Sequence, residues 1–452
     1  MTLKVWHLLE KWQVLSFQEL RNNRKRVNII GEKKACESLK GKIMEQTIII
    51  GAGAAGLTAA IFAARNGAKV TVLEHTDKAG KKILSTGNGK CNITNLYQDS
   101  SCYRGTHSEF AMSVLRQFGV QDTLDFMESL GVLCKDKNGY VYPRSEQAAT
   151  VREALLMECK CLGVTIQYEA RVQTVHKTEE IFELLVATNK GDETYTCSRL
   201  ILATGSKAAP KTGSDGSGYE LAKALGLKLI KPLPALVQLK CEDGIYQDAA
   251  GVRCNAGITI QANGEEVAKE EGELQITNYG ISGIPVMQLS RFAVKALDAR
   301  KQVTAIIDFF PEMEEKDLKE KLTCVMKQFH ERSMEDILAG FMNRKLASAL
   351  LKEMGIKKNR LASQCDESYV EGMVKTLKSY EAYVIGFNSF QEAQVCQGGV
   401  DTAEIDSNTM ESKKISGLYL VGELLDIDGT CGGYNLQFAW ATGSIAGKMA
   451  SS

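Results

Sequence analysis

The sequence predicts an α/β fold, a Rossmann domain that binds a dinucleotide, and two stretches carry this prediction. The first runs from Thr47 to Glu74 as an apolar strand, a glycine turn, a helix-forming run and a second apolar strand that ends in an acid. The second, from Ser416 to Ala450, is an apolar strand followed by glycines and a long helix of small residues. Strands that alternate with helices are typical of doubly wound sheets. We therefore expect a dinucleotide site that uses both ends of the chain.

Bulk properties exclude several classes of protein. A length of 452 residues allows two or three domains. The 55 Lys and Arg equal the 55 Asp and Glu, so the whole chain has no bias toward polyanions. The five histidines lie in no triad or metal-binding spacing, which argues against a hydrolase or a metalloenzyme, and no metal is expected. The chain lacks a membrane-spanning run and a signal peptide, and its thirteen cysteines lack framework spacing, so we expect reduced thiols and a cytoplasmic location.

Residues 1–43 are a predicted basic extension, with ten Lys or Arg against four Asp or Glu. One interpretation is an arm that binds nucleic acid or a membrane surface. We favour the other, an accessory extension or upstream stretch, because Met44 directly begins the run MEQTIIIGAGAAGL.

The glycines of the opening motif have separate predicted tasks. Gly51 lets the chain turn tightly out of the first strand, and Gly53 lets the backbone approach a pyrophosphate. Gly56 lets the helix pack closely on the sheet. The N-terminus of that helix offers unpaired N–H groups to the phosphates. Glu74 follows Gly56 by eighteen residues and is placed to bind ribose hydroxyls.

Later glycine-rich stretches favour FAD over NAD, because a flavin dinucleotide needs contacts along its whole length. Asp77–Asn95 is a polar loop with lysines and glycines, and Leu200–Ser206 is an apolar strand that ends in Ala-Thr-Gly. A helix that begins near Gly433 can stabilise the negative charge of a reduced flavin. A second strand–GxGxxG–helix–acid unit is missing, so a dedicated NAD(P)H domain is not expected, although NAD(P)H could still bind transiently without one.

The middle of the chain predicts further elements in order. Two helices fall within residues 108–131, then a hairpin leads into a helix that ends near Cys161, and strands follow to Leu202. Tyr140 and Tyr142 in the hairpin allow two interpretations: they face a substrate, or they pack against the protein core. Aromatic residues that flank a turn more often have the packing role. Pro232 and Pro234 predict a linker and a domain boundary.

The stretch after the prolines predicts a separate unit. Residues 236–310 are strand-rich, with a hairpin signal at Asn263–Gly264. Residues 311–385 are charged and helical and show no catalytic spacing. We interpret them as a helical insert that covers or shapes a site.

Specific motifs resemble one family. GAGAAGL, GKKILSTGNGKCNITN, ILATGS with PKTGSDGSGY, TNYGISGIP, QGGV and GELLDIDGTCGGYNLQFAWATG are similar to the BaiN/YhiN-like bacterial flavoproteins, also described as NAD(P)/FAD-dependent oxidoreductases or aminoacetone-oxidase-family FAD-binding enzymes. The resemblance runs from Met44 to the C-terminus. It implies a glutathione-reductase-like FAD domain in two segments, residues 44–235 and 386–452, with an inserted domain at 236–385 that is β-rich over 236–310 and helical over 311–385.

The resemblance also implies cofactor-binding residues, which we combine with Ala54, Thr204 and Gly205 from the sequence pattern. The ADP half is expected to contact Gly51, Gly53, Ala55, Gly56 and Glu74, with Val172 at the adenine. The flavin half is expected to contact Lys82, Gly87, Gly89, Cys91, Asn92, Gly422, Glu423, Gly433, Tyr434, Asn435 and Leu436. The chain departs from the family pattern at Ser206, Ser217, Cys396 and Gln397.

The expected function is that of an FAD-dependent oxidoreductase acting on a small organic substrate. The flavin would take a hydride from the substrate or from NAD(P)H and pass electrons to oxygen or to an unsaturated acceptor. No side chain is identified as acid or base; Cys91 and Tyr434 are candidates for the flavin face and are at least as readily packing residues. Two alternatives stay open: a flavoprotein that binds nucleic acid through residues 1–43, and a redox-sensing module that binds FAD without turnover.

Overall fold

The computed structural model of the chain describes residues 46–451, and the predicted extension 1–43 lies outside them. The strands within this range are, in chain order, β1 (Gln46–Ile50), β2 (Lys69–Leu73), β3 (Thr94–Asn95), β4 (Tyr103–Arg104), β5 (Cys134–Lys137), β6 (Tyr140–Pro143), β7 (Thr165–Gln167), β8 (Arg171–Lys177), β9 (Phe182–Thr188), β10 (Gly191–Cys197), β11 (Arg199–Leu202), β12 (Leu229–Ala235), β13 (Leu239–Cys241), β14 (Arg253–Ala262), β15 (Glu265–Thr277), β16 (Gly280–Gly283), β17 (Val303–Asp308), β18 (Tyr380–Phe387), β19 (Val395–Val400), β20 (Leu418–Leu420) and β21 (Asp428–Gly429).

The α-helices of the same range alternate with these strands at both ends of the chain and cluster in its middle. They are α1 (Ala54–Arg65), α2 (Lys81–Ser85), α3 (Glu109–Leu115), α4 (Val120–Ser129), α5 (Ala148–Cys161), α6 (Ser217–Ala224), α7 (Ile284–Asp298), α8 (Glu315–Gln328), α9 (Met334–Leu338), α10 (Arg344–Glu353), α11 (Glu367–Lys378) and α12 (Tyr434–Met449).

A five-stranded parallel sheet lies at the centre of the first core, in the order β20-β11-β1-β2-β7. In its register Ile48 of β1 lies between Thr71 of β2 and Leu200 of β11. Parallel strands covered on both faces read as continuous apolar runs, which is the pattern of β1 and β11. Leu200 also pairs with Leu418 of β20, so both ends of the chain build one sheet. The predicted Rossmann fold is confirmed.

Helices α1 and α12 pack against each other without intervening side chains. A Cβ atom at Gly443 would lie 2.5 Å from the carbonyl oxygen of Ala55, and one at Gly447 would overlap that of Ala59. Both contacts advance by four residues, so the helices run parallel. Since Gly443 lies opposite Ala55, the first residue of α1 lies opposite the ninth residue of α12. At 1.5 Å per residue, the N-terminus of α12 therefore extends about 12 Å beyond that of α1.

The inserted segment has a core of its own. A closed six-stranded barrel, β13-β16-β15-β14-β17-β18, shares this core with α8 to α11. The hairpin β14–β15 turns at Asn263 and Gly264, with φ of 53° and 82°, as the predicted Asn-Gly turn requires. Its core residues lie between 239 and 384, whereas the Rossmann core uses residues 48–227 and 400–450. The two cores support the expected boundaries near 235 and 385, which stay predictions.

The predicted linker is a strand. Pro232 and Pro234 lie inside β12, which pairs antiparallel with β19 and has a register irregularity between Ile230 and Leu233. A two-stranded sheet has only edge strands, and edge strands tolerate proline because one side needs no ladder hydrogen bonds. Among the residues described, no helix combines the length and the apolar character that a membrane crossing requires.

Candidate functional site

A cavity of about 780 Å³ lies at the carboxyl ends of the central strands. Ile50 after β1, Leu73 in β2, Ala203 after β11 and Val421 after β20 all line it. Ligands of open α/β sheets bind at this edge. The volume falls in the upper part of the range for ligand pockets, which suits a ligand as large as a dinucleotide.

The structure gives the three glycines of the opening motif the geometry that their predicted tasks require. Gly51 has a φ of 103°, and a Cβ there would lie 2.5 Å from the carbonyl oxygen of Ala203. A Cβ at Gly56 would overlap the carbonyl oxygen of Gly51, so α1 packs against this turn only with glycine at that position. Gly53 lines the cavity, and a Cβ there would meet nothing within 4 Å. The space beside Gly53 is therefore open to a ligand.

Two helix N-termini reach the cavity without a side-chain cap. The N-cap residue is a glycine in both helices, Gly53 in α1 and Gly433 in α12, and a glycine has no side chain that could cap the helix. Ala54, Ala55 and Asn435 of the first turns line the cavity. Uncapped N-termini offer free N–H groups and a partial positive charge. Their offset of about 12 Å gives the cavity two sites for negative charge. FAD has this distribution, with a pyrophosphate and a flavin ring that becomes anionic on reduction.

Glu74 is fixed at one end of the cavity. Its two carboxylate oxygens accept hydrogen bonds from the backbone N–H groups of Ala52 and Thr76, each at 2.8 Å. These bonds orient the buried carboxylate beside Val172, which lines the same cavity. An oriented acid at the end of β2 could bind ribose hydroxyls.

An ion pair joins the two ends of the chain across the cavity. The Lys82 ammonium lies 2.6 Å from Oε2 of Glu423, and the Ser206 hydroxyl donates to the same oxygen at 2.9 Å. Ser206 is one of the departures from the family pattern, and its hydroxyl has this definite partner. Cys396, another departure, packs beside Ser206, and burial raises the pKa of its thiol. The two departures are therefore neighbours in space.

The loop after α2 holds several residues in an unusual backbone conformation. Gly87, Asn88 and Cys91 have φ of 55°, 54° and 59°, a region that non-glycine residues seldom occupy. Such strain clusters at functional sites. In the part of the chain that the structure describes, Oδ1 of the neighbouring Asn92 is buried without a hydrogen-bond partner. Asn92 lines the cavity, so this acceptor fits a ligand that donates an N–H or O–H, as FAD does.

Sixteen of the twenty predicted cofactor-binding residues line this one cavity, and four do not. Gly56 lies behind the turn, and Gly89 lies outside the lining. Cys91 is fully buried, and burial raises the pKa of its thiol to about 12. Tyr434 packs its ring edge-to-face on Tyr103, with centroids 5.7 Å apart. For Cys91 and Tyr434 the packing interpretation therefore agrees with their positions.

Several lining residues were missed by sequence reasoning or left open. Tyr140 and Tyr142 line the cavity, and Leu236, Ile284 and Cys431 join them. A tyrosine pair was visible in the hairpin, but isolated aliphatic residues of the insert carry no sequence signal. The helical segment 311–385 contributes no residue to the lining, so the prediction that it shapes this site is wrong for this cavity.

Fold and cavity together define a Rossmann-type dinucleotide-binding protein. Over residues 45–449 the chain matches the HI0933-like protein Rossmann domain, and it belongs to this family. It is 43% identical over 410 residues to the 3-dehydro-bile acid delta(4,6)-reductase of Clostridium scindens, covering 90% of this chain and 99% of the relative. It is 30% identical over 398 residues to the ribosomal RNA dihydrouridine synthase of Escherichia coli, covering 87% and 95%.

Among solved structures it is similar to the 3-ketosteroid-delta4-(5alpha)-dehydrogenase from Rhodococcus jostii RHA1, with a TM-score of 0.46 and 17% identity over 90% of this chain and 96% of that one. The family resemblance expected from the motifs is confirmed. The protein is an FAD-dependent oxidoreductase.

Proposed function

We propose that the protein reduces a carbon–carbon double bond conjugated to a ketone in a small, apolar, ring-containing molecule, with NAD(P)H as the electron donor. The relative from Clostridium scindens, a named reductase of a bile acid, supports this substrate class because the two chains align over nearly their whole lengths. We further propose that the reaction takes place in the cytoplasm.

The observation that carries the proposal is the change in character along the cavity. The end near Glu74 and Gly53 offers a carboxylate and free backbone N–H groups. Near the α12 N-terminus Leu236 shares an apolar cluster with Cys431, and Ile284, which is 61% exposed, also lines the cavity. An aliphatic side chain left open inside a cavity favours an apolar ligand.

The same cavity accommodates the cofactor in our proposal. Gly53, the first turn of α1 and Glu74 would hold the ADP half, and Asn92 with the first turn of α12 would hold the flavin half. FAD supplies the electron pair that a double-bond reduction needs. The α12 N-terminus would stabilise negative charge at the flavin, and Leu236 and Ile284 would offer apolar contacts to the substrate.

The charge of strand β15 argues against nucleic acid as the substrate. Strand β15 carries five glutamates and one lysine between Glu265 and Glu273. Glu270 of this strand acts electrostatically on Arg104 and on the cavity residue Cys431, so the acidic strand lies near the cavity. A dense row of carboxylates repels phosphates, whereas nucleic-acid sites concentrate Lys and Arg. The alternative with a basic arm depends on residues 1–43, outside the described range.

The test is a two-stage reaction without oxygen. Holoprotein is first reduced with NADH or NADPH, and 4-androstene-3,17-dione, a conjugated steroid ketone, is then added. We expect the flavin colour to return and mass spectrometry to show a product with two more hydrogen atoms. A saturated steroid ketone is the control and leaves the flavin reduced.

Two results would contradict the proposal. In the first, only oxygen restores the flavin colour. In the second, a uridine-containing ribosomal RNA fragment restores it and the ketone does not, which would favour the nucleic-acid alternative.

A further inference from the structure

Tyr140 and Tyr142 are held on one face of the β5–β6 hairpin. They are two residues apart on β6, and alternate side chains of a strand point to the same face. On its other edge β6 pairs with β3, where Tyr140 lies opposite Asn95 and Val141 opposite Thr94. The hairpin is therefore anchored directly after the loop that contains Asn92, and both tyrosines line the cavity.

The two rings contact the two glycine segments at the flavin end of the cavity. Cε1 of Tyr140 lies 3.2 Å from the position that a Cβ of Gly432 would occupy. Cε1 of Tyr142 lies 3.5 Å from the corresponding position at Gly87. The rings thus lie beside the strained loop on one side and the entry to α12 on the other. Both rings are therefore placed to contact a ligand that occupies this end of the cavity.

Within the described part of the chain neither hydroxyl makes a hydrogen bond, and the Tyr142 hydroxyl interacts only electrostatically with Tyr140, Lys90 and Glu146. Some tyrosine hydroxyls of the fold are paired, as that of Tyr103 donates to Gln98, that of Tyr195 to Glu193 and that of Tyr383 to Glu381, whereas that of Tyr219, in the same described range, is buried without a partner and does not line the cavity. A tyrosine hydroxyl, with an ordinary pKa of about 10, is protonated at neutral pH, and burial raises the pKa of Tyr142 further, so this hydroxyl can act as a donor. Unpartnered hydroxyls at a cavity are free to bind a ligand acceptor.

We propose that Tyr140 and Tyr142 are the substrate-recognition residues of this site, with rings that bind an apolar ring skeleton and hydroxyls that donate hydrogen bonds to its carbonyl oxygen. Leu236 and Ile284 form the rest of the apolar wall. This inference rests on the proposed function, because it assigns residues and a ligand class to the same cavity.

The test measures equilibrium binding, so it needs no turnover. Oxidised holoprotein is titrated with 4-androstene-3,17-dione, and the perturbation of the flavin absorption spectrum gives the Kd. We expect Tyr140→Phe and Tyr142→Phe each to raise the Kd about fivefold to tenfold, the effect of one lost hydrogen bond. The matched control is Tyr195→Phe, which removes a hydroxyl from β10 outside the cavity and leaves the Kd unchanged.

Two further measurements separate recognition from folding. FAD content and Tm of the Phe variants stay at the wild-type values, because the rings and their packing are retained. A steroid hydrocarbon, which has no oxygen atom, binds wild type and both Phe variants equally, since it has no acceptor for the hydroxyls.

The outcomes distinguish this inference from the proposed function. If wild type reduces the conjugated ketone and the Phe variants bind it as tightly as wild type, the inference is overturned and the proposed function stands. If wild type neither binds nor reduces the ketone, the proposed function falls, and the assignment of the two hydroxyls falls with it.

Discussion

Gly53 and Gly56 are three residues apart, yet we predict different effects when each is replaced by alanine: Gly56→Ala should destabilise the fold, and Gly53→Ala should weaken cofactor binding. A Cβ at Gly56 would overlap the carbonyl oxygen of Gly51, and neither backbone segment can move without separating α1 from the sheet. We expect this variant to lose roughly 3 kcal/mol of stability, at the upper end for overpacking. A Cβ at Gly53 would meet no protein atom within 4 Å, and its φ of −82° is open to alanine.

For Gly53→Ala we expect little change in folding and a marked change in cofactor binding. The apoprotein should stay within about 1 kcal/mol of wild type, the scale of an N-cap substitution. The methyl group would occupy cavity space beside the first turn of α1 and displace a phosphate from its N–H donors. Losing one charge-assisted hydrogen bond of about 2 kcal/mol corresponds to roughly thirtyfold weaker FAD binding.

The assay strips FAD, measures the Tm of each apoprotein and titrates FAD by quenching of its fluorescence. Gly372→Ala is the control, because a Cβ at this exposed position of α11 also meets nothing within 4 Å. It should bind FAD like wild type and gain up to about 1 kcal/mol of helix stability. A Gly53→Ala variant with the wild-type Kd for FAD would refute the assignment of the pyrophosphate to this turn.

Three further predictions follow from contacts elsewhere. Gly443→Ala places a methyl group on the carbonyl oxygen of Ala55 and should lower stability by about 1–3 kcal/mol in chemical unfolding; an unchanged midpoint would contradict the close packing of α1 and α12. Lys82→Met and Glu423→Gln should show a coupling energy of about 1 kcal/mol in a double-mutant cycle, because their side chains are 23% and 21% exposed; strict additivity would contradict the ion pair. Burial raises the pKa of Asp428 from 3.8 to about 6, so the folded state holds this proton more tightly than the unfolded chain. The stability contributed by the protonated Asp428 carboxyl is lost as pH rises from about 4 to about 6. Asp428→Asn should therefore flatten the plot of Tm against pH over this range, and an equal slope in wild type and variant would contradict the raised pKa.

The sequence predicted those parts of the fold that depend on local chemistry. Glycines at fixed offsets identified the turn and the helix after β1, because only glycine fits against the Gly51 carbonyl and the Ala203 backbone. Asn263–Gly264 identified its hairpin through another local requirement, since both residues adopt a positive φ. Local backbone requirements leave a signature that a single sequence carries.

Features that depend on tertiary contacts were harder to predict. Pro232 and Pro234 indicate a linker locally, and only the partner strand β19 turns that segment into a strand. Leu236 and Ile284 are ordinary aliphatic residues until the fold places them in the lining of the cavity. The Lys82–Glu423 pair joins residues 341 positions apart, a separation that no local pattern reveals.

The most direct test of the account is the cofactor itself. The purified chain should be yellow and release one FAD per chain on denaturation, and without oxygen NADH or NADPH should bleach its flavin absorption. Gly53→Ala, purified in parallel, should carry less FAD at the same protein concentration. A colourless wild-type protein that takes up no added FAD would contradict the claim that α1 and α12 hold this cofactor between the two ends of the chain.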